Sequence, residues 1–158
     1  MTPENSSVCL DRKLAYVVFR LSLGITVLIH GSDRIFGQGV ESFASKTASQ
    51  FAGTPLPPAL VHVFLIVLPF AEFTLGSLII AGLFTRWALT LGGLLMTTLI
   101  FGTSIRGEWP TIGTQLIYSI TYYFLLLHLA DNGVSLGRSI GPKAPLTGLD
   151  LRIRRYGI

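Results

Sequence analysis

Four apolar runs constrain this chain more than any other feature of its sequence. They lie at about residues 14–31, 59–84, 87–104 and 113–130, and each is nearly free of charge. A bilayer core about 30 Å thick is crossed by roughly 20 residues of helix. A chain in hydrocarbon must also satisfy its own backbone hydrogen bonds, which favours helices. The expected fold is therefore an all-α membrane protein, a four-transmembrane-helix bundle. Composition agrees, because only 13% of the 158 residues are charged and 50% are hydrophobic, whereas soluble domains carry about 25% charged residues.

The joints between the runs differ. The second and third runs are separated by a tight turn around Thr85 and Arg86, which makes them antiparallel neighbours. The first and second are separated by a long segment, 32–58, rich in Gly and Pro. Its middle, 40–51, has no helix breaker and is expected to be a short helix lying on the surface or dipping into the bundle. Three regions follow: a polar tail at 1–13, the bundle at 14–131, and a basic tail at 132–158. The first apolar run has no small-residue cleavage site after it, so it reads as a retained span and not a signal peptide.

Lys and Arg mark the cytoplasmic side of membrane proteins. With four crossings, Arg12, Lys13, Arg86, Arg138, Lys143, Arg152, Arg154 and Arg155 share one side, and only Arg34, Lys46 and Arg106 share the other. The expected location is a bacterial-type inner membrane, with both termini cytoplasmic and the long loop outward. The net charge of +4 is accounted for by these run-end residues. No basic helix with interleaved aromatics points to nucleic acid. The single cysteine, Cys9, excludes an internal disulfide or a CxxC pair.

Polar groups inside apolar helices are costly, face the protein interior, and need partners. Arg20 lies inside the first run and Glu72 inside the second, so the two are expected to pair. The pair is either architectural or the wall of a charged cavity. His30 ends the first run three residues before Asp33 and four before Arg34, and His62 lies in the first turn of the second run on the same outer side. These histidines read either as interfacial anchors or as an outer proton or quinone-head site. No cysteine or three-ligand pattern indicates a metal. Gln115, Tyr118 and Tyr122, spaced i, i+3, i+7, form one stripe on the fourth run, which either packs between helices or lines a ligand cleft. Gly92, Gly93 and Gly102 are expected to leave a gap beside the fourth helix. His128 and Asp131 read as a boundary pair.

Three stretches together resemble the DoxX family of small four-helix membrane proteins. They are FRLSLGITVLIHGSDRIFG, carrying Arg20, Gly24, His30, Gly31, Arg34, Phe36 and Gly37; then Pro69, Glu72 and Gly76; then AGLFTRWA, carrying Gly82, Leu83, Thr85 and Arg86. The family has lysine at the position of Arg34 in many members. The resemblance implies kinship with the DoxD-type membrane subunit of thiosulfate:quinone oxidoreductase, and hence a quinone-associated membrane subunit. Arg20, His30, Arg34, Glu72, Tyr118 and Tyr122 are the candidate cofactor-binding residues, and quinone is the candidate cofactor. The implied partners are the lipid bilayer and a larger membrane complex or redox partner. The rival reading is a non-catalytic accessory subunit packed against such a complex.

Overall fold

A computed structural model describes residues 3–133. The basic tail expected at 132–158 lies almost wholly outside them. The described chain is all helical. Helix α1 runs Pro3–Ser32 and ends in a π-helical turn, Asp33–Gly37. Helix α2 is Val40–Ser49, α3 Pro58–Ala81, α4 Thr85–Ile105 and α5 Trp109–Leu127, and a 3₁₀ turn, Leu129–Asp131, closes the order. Three segments are long and apolar enough to cross a membrane: Leu10–Gly37, Pro58–Ala81 and Thr85–Ile105. The fourth, α5, has 19 residues but carries Gln115, Tyr118, Tyr122 and Tyr123, which lower its apolarity.

Each boundary has a local cause. Helix α3 starts at Pro58, whose missing N–H costs nothing in a first turn. It stops at Gly82, which takes the left-handed conformation at φ 67°. The Leu83 N–H then reaches Leu78 O at 3.1 Å and the Gly82 N–H reaches Ile79 O at 3.2 Å, the two bonds of a Schellman cap. The turn into α4 is therefore 82–84. It lies just before Thr85 and Arg86, the residues at which the apolar pattern alone located it. The polar segment at 3–13 is helical and continuous with the first span, because nothing in it breaks a helix. The 32–58 connection is mostly structured. The π turn and α2 occupy it, with Phe43 and Ala44 buried against Val61, Leu65 and Leu68 of α3.

Helix α1 packs chiefly on α3, and α4 on α5. The α1–α3 seam is built on small residues. A Cβ on Gly76 would lie 2.5 Å from Leu28 N, and one on Gly31 would lie 2.5 Å from Phe73 N. Close backbone approach of this kind drives helix association where lipid removes the hydrophobic incentive. Two apolar cores result. One joins Leu23, Val27, Leu75, Ile79, Leu89 and Leu125, and the other gathers around Phe43 and Leu65. Leu95 of α4 touches both. Serine and threonine hydroxyls along the helices donate to carbonyls one turn back, as Thr26 does to Ser22 O at 2.8 Å and Thr103 to Leu99 O at 2.8 Å. This leaves them satisfied in an apolar medium. Large apolar side chains such as Val18, Leu94 and Ile117 point outward, each more than half exposed.

Candidate functional site

Between the two cores lies a polar centre. Glu72, buried on α3, forms an ion pair with Arg34 of the π turn. The guanidinium of Arg34 also stands 4.6 Å from the centroid of the Phe43 ring on α2. Such cation–π contact stabilises a partly desolvated cation. A π turn is a common device at functional sites, and here it carries the only cation that reaches Glu72 among the described residues.

This arrangement corrects the expected Arg20–Glu72 pair. Helices α1 and α3 run antiparallel, with Gly24 against Ile80, Gly76 against Leu28 and Gly31 against Phe73. That register sets Glu72 beside the end of α1, about twelve residues or ~18 Å along the axis from Arg20. Arg20, itself buried, instead donates to Asn132 Oδ1 at 2.8 Å and to Ile80 O at 3.5 Å. A cation at the last carbonyls of α3 also complements the helix dipole. Asn132 donates in turn to Thr85 Oγ1 at 3.2 Å, and Arg12 pairs with Asp131 at 3.0 Å. Arg20 thus belongs to a polar knot at the end of the bundle where the start of α1 meets the end of α5.

The remaining five candidates come together. His30, Arg34, Glu72, Tyr118 and Tyr122 line one cavity of about 200 Å³. Gln115 lines it too, so the whole stripe of α5 faces inward. Gln115 donates through Nε2 to Thr103 Oγ1 at 3.0 Å. Because the Thr103 hydroxyl is already donating to Leu99 O, its oxygen can only accept, which fixes the orientation of the Gln115 amide. Pattern reading missed Thr26, four residues before His30 on the same helix face, and Met96. It also missed Phe43, whose signal was an aromatic residue in the breaker-free stretch 40–51.

Other expectations need correction. The Tyr122 ring occupies the space directly at Gly92, where a Cβ would lie 2.5 Å from Tyr122 Cε1, and Gly92 still lines the polar cavity between α4 and α5. Gly102 differs: a Cβ there would stand 3.5 Å from the Phe51 ring, an ordinary contact, and Gly102 lines a second cavity described below. Of the two readings for His62, the structure leaves the interfacial anchor: it is not among the cavity's lining residues and hydrogen-bonds Glu41 of α2 at 3.1 Å. Asp33 accepts a hydrogen bond from Gln38 Nε2 at 2.6 Å. His128 bonds to Phe124 O, and Asp131 to Arg12. Among the described residues, no three of His, Cys, Asp and Glu gather as a metal-binding group.

A second cavity, of about 400 Å³, adjoins the first. Arg34, Leu99, Thr111 and Gln115 belong to the walls of both.

Comparison with known families gives one finding. The family model described as methylamine utilisation protein MauE matches residues 12–108, more than half of the chain. This overturns the DoxX resemblance. The residues that carried that resemblance have structural roles that any tightly packed helix pair can use: Gly31 and Gly76 in the seam, Gly82 in a cap, and Arg34 with Glu72 as an ion pair. No curated protein and no solved structure matches the chain.

Proposed function

The chain belongs to the MauE family, and from that premise we propose that it is an integral membrane component of a methylamine-utilisation system that holds a lipid-soluble redox molecule, a quinone, at its polar centre. It crosses the membrane four times, with α5 as the fourth span, since 19 residues rise ~28 Å. Both ends of the bundle chain lie on the cytoplasmic side of a bacterial-type inner membrane. The Arg12–Asp131 ion pair supports a shared side, and the excess of Lys and Arg supports the cytoplasmic one.

The observation that carries this reading is the cavity shared by His30, Arg34, Glu72, Gln115, Tyr118 and Tyr122. A buried ion pair is weak evidence of stability, and a pair that fronts a cavity has a further use. Quinone carbonyls accept hydrogen bonds, and the Arg34 guanidinium and the two phenols donate them. Reduction to quinol takes up two protons with two electrons, and His30 and Glu72 are groups that exchange protons. Partner proteins in the larger complex would supply and remove the electrons.

The test is lipid extraction and mass spectrometry of the protein purified in mild detergent. The expected result is near-stoichiometric quinone, lost in Glu72→Gln and Tyr122→Phe variants that keep their helical content. Wild-type protein that carries only bulk phospholipid would refute the reading. The ion pair would then be architectural, and the chain an accessory subunit packed against its complex.

A further inference from the structure

The larger cavity has a different character from the polar centre. Its walls are mainly Phe43, Phe51, Leu56, Phe64 and Leu68, and its volume of about 400 Å³ is twice that of its neighbour. Cavities of about 300–1,000 Å³, mostly apolar with a few polar groups, are typical of sites for small ligands. We propose that this cavity seats the hydrocarbon chain of the same molecule whose head lies at Arg34–Glu72, so that the ligand is a single neutral amphiphile threaded between the two.

Continuity is the first argument. Arg34, Leu99, Thr111 and Gln115 stand in both walls, so the two cavities meet at these four side chains, and a chain leaving the polar centre past Arg34 would enter apolar space. Charge is the second. The larger cavity has two cations in its walls, and each already faces a carboxylate, with Arg106 Nε the one buried nitrogen of the two left without an acceptor among the described residues. Arg34 pairs with Glu72, and Arg106 lies 3.2 Å from Glu108 and also donates to Gln50. Each guanidinium covers a phenylalanine ring, Arg34 over Phe43 and Arg106 over Phe51 at 5.0 Å. A phosphate or carboxylate head would find no uncompensated cation there, which disfavours a phospholipid or a fatty acid and favours a neutral head. The roof is the third. Helix α2 and Phe51 cover the cavity, and α2 is bounded by Gly39 and Gly53, at φ 80° and 81° with no neighbouring atom near either. Only glycine takes that conformation without strain, so these two residues permit the turns that lay the roof over the cavity.

This inference rests on the polar-centre reading for the head and adds the chain. The experiment uses two photoreactive quinone analogues with the full protein in nanodiscs, one carrying a diazirine on the head and one on the chain. Cross-linked peptides are mapped by mass spectrometry. The expected result is head label on α5 around Tyr118 and Tyr122, and chain label on Phe43, Phe51 or Phe64. A Leu56→Trp substitution, which fills the space of at least two methylenes, should lower chain labelling by about tenfold and leave the circular dichroism spectrum unchanged. Head label in place with chain label only on outward residues such as Leu94 and Ile117 overturns this inference and spares the polar centre. Absence of head label from the polar cavity overturns both. A diazirine phosphatidylcholine that labels the larger cavity as strongly as the quinone chain overturns the neutral-amphiphile assignment.

Discussion

Replacing Glu72 with alanine removes the carboxylate from under Arg34. The cation left behind cannot shed its charge, because guanidinium stays protonated in proteins. One-sided removal of a buried partner costs about 3–5 kcal/mol in soluble proteins. Two features pull the value here toward the low end. The Arg34 side chain retains 22% of its exposure, and its contact with Phe43 survives. The expected cost is therefore about 3 kcal/mol. For a chain of this size that corresponds to a fall of roughly 6–12 °C in melting temperature, read by thermal unfolding in detergent. Arg34→Leu should cost less, because the stranded carboxyl can take up a proton and become neutral. The double variant Arg34→Leu/Glu72→Leu should recover most of the loss, since apolar replacement of a buried pair is often neutral or better. If Glu72→Ala melts within a degree or two of wild type, or if the double variant falls by the sum of the singles, the energetic argument for the pair is wrong.

Gly76→Ala should destabilise by about 1–3 kcal/mol, because the added methyl meets the Leu28 backbone and not a movable side chain; chemical denaturation in mixed micelles measures this. Gly92→Ala should displace the Tyr122 ring and reduce bound quinone more than it reduces stability, which paired mass spectrometry and melting data separate. Arg20→Ala should lose the bond to Asn132, worth about 1.5–3 kcal/mol because a charge is involved, together with the longer contact to Ile80 O. Hydrogen exchange should then rise first at the 129–133 segment. A cytoplasm-active reporter fused to the C-terminus should be active, and one inserted in the 50–56 loop silent; the reverse pattern would invert the topology.

Much of the fold is legible in the sequence because apolar runs bounded by Gly and Pro map directly onto helices. Pro58 starts α3 and Gly82 stops it, and both are visible as letters. The inward stripe of α5 is legible as spacing, although its rotation toward the cavity depends on packing against α4 through Gly92 and Tyr122. The partner of Glu72 was not legible. Depth counted from run ends assumes that the runs begin at the membrane surface, whereas α1 begins at Pro3 and α3 ends at Ala81. The error is three turns of helix, enough to exchange Arg20 for Arg34. Seam glycines carry the missing register, but only once their partners across the interface are known. The DoxX resemblance fails for a related reason. A glycine, an arginine and a glutamate at helical spacings are needed by packing as much as by chemistry.

The bundle is in effect two stiff boards meeting along one joint. Backbone contact at Gly31 and Gly76 locks α1 to α3, and the Tyr122 ring set on Gly92 locks α5 to α4, while fewer contacts tie one pair to the other. Mechanical load on such an assembly is taken up at the joint. The walls of the polar cavity come from both boards, with Glu72 on one and Tyr122 on the other, so the cavity lies across the joint. A change in the angle between the boards would therefore change the gap between carboxylate and phenol, the dimension that decides what the cavity can hold.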